Sequence, residues 1–81
     1  MREISFSAAL DAAKCGRAIC RLGWNDEHML VRALVPDEHS KMTLPYLYSQ
    51  CSETDPNTPG ARCPWLPSQE DIMAEDWVDL V

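Results

Sequence analysis

Two tryptophans stand where an indole ring is difficult to place. Trp24 lies between Gly23 and Asn25-Asp26, in a run of turn chemistry. A large apolar ring on a hairpin tip loses its burial unless something covers it. Trp65 arrives just ahead of Pro67 and Ser68, where the residues mark a helix N-terminus, a place that favours anions. Each ring can pack against its own domain or a sister subunit, or it can stack on a flat ligand. Packing is the simpler reading from the residues alone. Arg21, two residues before Gly23, could meet a phosphate or pair with Asp76, and the ion pair is the safer of the two. Asp71, Glu75 and Asp76 could form an acid/base pair, yet carboxylates this close along a chain are more often cap and surface residues.

Other catalytic patterns are missing from the sequence. Cys15, Cys20, Cys51 and Cys63 form no C-x-x-C pair, and His28 and His39 complete no zinc pattern. No base is placed beside a thiol, and no glycine loop could cradle phosphates. Cys15 and Cys20 read as small buried or half-buried apolar groups. The expectation is a protein that is not an enzyme and needs no cofactor or metal.

The elements that must hold these residues can be read in turn. Pro67 ends the approach of Trp65 and Leu66 because it lacks an N–H. Ser68 is a good N-cap, and Asp71 can answer it in a shortened capping box before Ile72, Met73 and Ala74. Trp77 to Val81 then alternates as a last strand. Near the start, Ser5 caps a helix whose Phe6, Ala9, Leu10 and Ala13 follow the i, i+3, i+4, i+7 rule, with Lys14 and Gly16 at its end. Arg17–Leu22 and His28–Val35 alternate as two strands of a hairpin turning near Asn25. Met29, Val31, Ala33 and Val35 share one face. The other face, with Ile19, Leu30 and Leu34 among Arg17, Arg21 and Arg32, reads as a subunit interface. Lys41–Cys51 alternates too, but Pro45 demotes it to an edge strand or extended loop. Residues 52–61 are turn chemistry throughout, and Arg62–Leu66 re-enters the sheet.

The fold class expected is α+β: an N-terminal helix on a small antiparallel sheet, with a short helical turn before the last strand. Residues 1–81 make one domain whose core is modest, so association of copies would help complete its burial. Nearly half the residues are apolar, which argues for folding over disorder. No stretch approaches the roughly 18 apolar residues of a membrane span, and Met1–Phe6 lacks a signal-peptide core. A cytoplasmic protein without membrane contact, and without structural disulfides, is expected. The net charge of −6 is uneven: residues 68–81 hold five acidic and no basic side chains. Such a chain is a poor nucleic-acid binder. The acidic run could mimic DNA or dock on a host protein, but it more simply forms the wet side of an amphipathic segment.

The pattern Phe6-x-x-Ala9-Leu10, Lys14-x-Gly16, Arg21-x-Gly23-Trp24-Asn25, Pro45-Tyr46 and Pro64-Trp65-Leu66-Pro67-Ser68-Gln69-x-Asp71-Ile72-Met73-Ala74-Glu75-Asp76-Trp77 resembles the small phage and prophage Thoeris anti-defence sponge family. The resemblance spans almost the whole chain and is best at the ends. Residues 37–62 match poorly and are the segment expected to set ligand choice; Asp26 stands where the family often has glycine. The resemblance implies a homotetramer in the bacterial host cell that sequesters a cyclic nucleotide immune signal, such as a cyclic ADP-ribose isomer, without cleaving it. It implies that Trp24 and Trp65 stack on the base, that Arg21 and the N–H groups after Ser68 meet the pyrophosphate, and that Asn25, Gln69 and Asp71 read hydroxyls or base edges.

Overall fold

The computed structural model describes residues 2–24, 29–51, 56, 57 and 59–80. Its elements in chain order are helix α1 (Phe6–Lys14), strands β1 (Ala18–Arg21), β2 (Met29–Leu34), β3 (Tyr46–Cys51) and β4 (Arg62–Pro64), helix α2 (Gln69–Met73) and strand β5 (Trp77–Leu80). The strands form one sheet in the order β4-β3-β2-β1-β5, with every neighbouring pair antiparallel. The α+β architecture is thus as the residue patterns led one to expect.

Local chemistry accounts for α1. Ser5 Oγ accepts the Ala8 N–H at 3.3 Å, Lys14 sits in the last turn, and Gly16 at φ +99° turns the chain out of the helix. Ala9 and Ala13 are buried where α1 meets the sheet, and their small side chains let the two layers approach closely. Ile19 and Val31 stand opposite each other on β1 and β2. Directly opposed residues project to the same side of a sheet, and both belong to the core beneath α1. Trp77 completes that core as its largest fully buried side chain. Its backbone N–H and C=O both pair with Ile4, at 3.2 and 2.7 Å, while Arg21 stands opposite it on β1.

Three expectations need correction. The face of β1 carrying Ile19, with Arg17 and Arg21, is the helix side; the register sends Ala18 and Cys20 to the side of Leu30, Arg32 and Leu34. The faces of two strands cannot be matched until their register is known, because a slip of one residue exchanges them. Next, β3 is an interior strand between β2 and β4, since Pro45 lies one residue before its start and removes no ladder bond. Finally, Cys15 is exposed as the C-cap residue of α1, and all four cysteines are free thiols. The expected hairpin turn at Asn25, and residues 52–55 and 58 of the expected 52–61 excursion, lie outside the described residues. Among those described, no helix is long and apolar enough to cross a membrane.

Candidate functional site

A corner forms where β1 ends beside the start of β5. The Leu22 N–H donates to the Asp76 carbonyl at 3.0 Å and the Trp24 N–H to the Arg21 carbonyl at 3.2 Å, which brings Trp24 back over the sheet end. Arg21 points to the same side as α1 and meets two carboxylates there. Its Nε donates to Asp76 Oδ1 and its Nη1 to Asp71 Oδ1, each at 2.9 Å, with Glu70 Oε1 4.0 Å from Nη1. The second Asp76 oxygen accepts the Gly23 N–H at 2.8 Å. A Cβ at position 23 would stand 2.7 Å from that oxygen, so any larger residue there would push the Asp76 carboxylate aside.

Asp71 joins the corner to α2. Ser68 Oγ accepts the Asp71 N–H and Asp71 Oδ2 accepts the Ser68 N–H, both at 3.1 Å, so the capping box read from the sequence is formed. Trp24 Nε1 donates to Asp71 Oδ1 at 3.4 Å, and Trp77 Nε1 to the Asp71 carbonyl at 2.9 Å. The three indoles lie edge to face: Trp24 and Trp65 at 6.1 Å, Trp24 and Trp77 at 5.2 Å, Trp65 and Trp77 at 6.1 Å between centroids. Such edge-on pairs add about 0.5–1.5 kcal/mol each beyond their burial. Trp77 is sealed, whereas Trp24 and Trp65 are half-buried.

The charges hold one another. The Arg21 hydrogen bond holds the Asp76 carboxyl below its usual range, and the Gly23 N–H adds to it. Burial pushes Asp71 upward, but bonds from Ser68, Arg21 and Trp24 together outweigh it and lower its pKa. Asp76 and Asp71 in turn raise the arginine further. Both remain ionised at neutral pH, and one guanidinium faces two carboxylates with Glu70 at its edge. In a single chain, this corner offers aromatic surface and acceptors, with its cation already committed.

Of the residues expected to form a site, Arg21, Trp24, Trp65, Ser68 and Asp71 do come together. Gln69 is the exposed first residue of α2, and Asn25 lies outside the described residues. The capping box occupies the N–H groups of Ser68 and Asp71, leaving those of Gln69 and Glu70 at that helix end. The ion pair of Arg21 with Asp76, preferred from the residues, is formed, and Trp77 is a core ring as expected; what sequence reasoning missed is that Asp71 is a second partner of the same arginine. Two grooves lie elsewhere. One of about 280 Å³ is lined by Leu34, Tyr46, Tyr48, Arg62, Cys63 and Pro64, and a smaller one of about 50 Å³ lies between α1 and β3. No group of three or more potential metal ligands occurs among the described residues.

The fold and its corner define a small helix-on-sheet domain closed at one end by clustered tryptophans. The family model of the Thoeris anti-defense 2-like domain matches residues 4–80, and the chain belongs to that family. A role in phage anti-defence follows from that membership. No curated protein matches the chain at a significant level.

Proposed function

We propose that this protein carries out anti-defence by sequestering a cyclic nucleotide immune signal, a cyclic ADP-ribose isomer or a related cyclic oligonucleotide, without cleaving it. The observation that carries the reading is the pair of half-buried rings, Trp24 and Trp65, set edge to face at one corner, where Asp71 holds the Trp24 indole and Asp76 the Gly23 N–H beside it. A base stacked on an aromatic side chain contributes about 1–3 kcal/mol. In one chain the corner is a ledge, so a homotetramer supplies its opposite wall from a second protomer. With Arg21 engaged by two carboxylates, its part is to position Trp24, and the signal's phosphates meet cations elsewhere in the assembly. The protein works in the cytoplasm of the bacterial host, where the signal is made. Capture requires tight binding of the ground state and no stabilisation of a transition state.

The test mixes the protein with cyclic ADP-ribose isomers and with cyclic di- and trinucleotides, records the melting shift, then denatures the protein and chromatographs what is released. Intact recovery is expected. A hydrolysed product would make the protein an enzyme, and no shift with any candidate would favour docking on a host protein. Trp24→Ala and Trp65→Ala should each abolish the shift with the oligomer intact; normal binding by both would remove the corner from the site.

A further inference from the structure

We infer that Asp71 is a positioning residue of the corner. Its carboxylate pins the indole edge of Trp24 and makes this ring the fixed wall of the site; it acts on a stacked base through Trp24 and does not touch the ligand. That a base is stacked there rests on the function proposed above, while the pin rests on the corner's geometry alone. Asp71 Oδ1 accepts the Trp24 Nε1–H at 3.4 Å and Arg21 Nη1 at 2.9 Å, and Oδ2 accepts the Ser68 N–H at 3.1 Å. These bonds take most of the roughly four acceptor sites of a carboxylate. The side chain is only 14% exposed, which leaves little of it for a ligand hydroxyl.

An indole packed edge to face can still turn about its Cβ–Cγ bond, because the preference at that torsion is broad. Trp24 is tied at both ends instead. Its main-chain N–H donates to the Arg21 carbonyl at 3.2 Å, and its ring N–H, on the edge away from Cβ, meets Asp71. The ring bond is long, and its strength comes from a charged acceptor. The pin itself is anchored in the core. The Asp71 carbonyl accepts the Trp77 Nε1–H at 2.9 Å, and Trp77 is fully buried, with the Phe6 ring of α1 5.3 Å away between centroids. Helix α2 buries no side chain of its own, so the polar bonds of Asp71 tie its first turn to the sheet.

Trp65 carries no such pin. Among the described residues its indole N–H meets no acceptor, and its ring rests 6.1 Å from both Trp24 and Trp77, against 5.2 Å between those two. Leu66, next to it, is 89% exposed. The corner therefore pairs a fixed wall with one that can adjust, and Asp71 decides which is which. Loss of its carboxylate frees Trp24 to turn, and a ring that must be ordered on binding costs affinity even where no ligand contact is removed.

NMR of the indole N–H groups in the ligand-free protein, paired with calorimetric titration of cyclic ADP-ribose and of cyclic di-AMP, tests this. Trp24→Phe identifies the Trp24 signal by its loss. In Asp71→Ala that signal should move upfield, further than the Trp65 signal, and exchange faster with water. In Ser68→Ala, which removes only the cap bond, it should stay in place. Asp71→Asn keeps a neutral acceptor and should give a smaller shift in the same direction, which serves if Asp71→Ala does not fold. Asp71→Ala should weaken binding of the tighter probe about tenfold, but less than about twofold in the Trp24→Phe background, where the bond is already gone. An unmoved Trp24 signal in both Asp71 variants overturns the pin, and equal losses in the two backgrounds would make Asp71 a ligand contact. If neither probe binds wild type, that counts against the function proposed above, and the spectra alone decide the pin.

Discussion

Replacing Arg21 with alanine separates a clamp from a ligand contact. In the folded chain its guanidinium makes two charge-assisted bonds of 2.9 Å, and the side chains of Arg21, Asp71 and Asp76 are only 14%, 14% and 28% exposed. Bonds to charged groups contribute about 1.5–3 kcal/mol each. Removing one partner of a fully buried pair costs about 3–5 kcal/mol, because the other charge is stranded. Water reaches part of this corner, so a loss of about 2–4 kcal/mol is expected for Arg21→Ala. For a domain of this size each kcal/mol moves Tm by about 4–8 °C, which places the variant roughly 8–32 °C below wild type. The measurement is thermal unfolding followed by circular dichroism at pH 7, at one fixed protein concentration because an oligomer's Tm depends on it. Asp76→Asn in the Arg21→Ala background should restore part of the loss, since it removes one of the stranded charges. If Arg21→Ala melts within about 3 °C of wild type yet no longer captures ligand, the arginine contacts the ligand and the clamp reasoning is wrong.

Two further outcomes follow from the same corner. Ser68→Ala removes the acceptor for the Asp71 N–H and should cost about 1 kcal/mol, a Tm fall of about 4–8 °C; an unchanged Tm would mean that the capping box does not hold α2 in solution. Acidification should also destabilise the fold. Asp71 and Asp76 have folded pKa values below those of the unfolded chain, so the folded state binds fewer protons and their contribution is fully present above the unfolded value of about 3.9. It is lost as pH falls through the folded values, so Tm should hold between about pH 5 and 7 and drop below about pH 4. An Asp71→Asn, Asp76→Asn double variant should show a flatter acid limb, and a limb as steep as wild type would assign acid sensitivity to other carboxylates.

Where interactions are short in sequence, the residues alone were enough. Ser5 with Ala8, the alanine face of α1, Gly16 beyond it, and the box between Ser68 and Asp71 all involve neighbours within one helical turn. Their chemistry does not depend on where the rest of the chain lies, and the alternation of Trp77–Leu80 is equally local. Family kinship was also legible in the spaced motifs, since the match runs from residue 4 to residue 80.

The tertiary structure decided everything that depends on register or on distant partners. Ile19 belongs under α1 because β1 meets β2 with Ile19 opposite Val31, and alternation within either strand is the same whichever face is buried. Arg21 finds carboxylates 50 and 55 residues away, so only the closing of β5 onto β1 could show that it holds two acids at once. The groove lined by Tyr46, Tyr48 and Arg62 had no sequence signature either. Tyr48 and Arg62 lie on different strands and become neighbours through the pairing of β3 with β4. Periodicity records which side chains share a face within one strand, and only the long-range hydrogen-bond ladder fixes which of those faces combine.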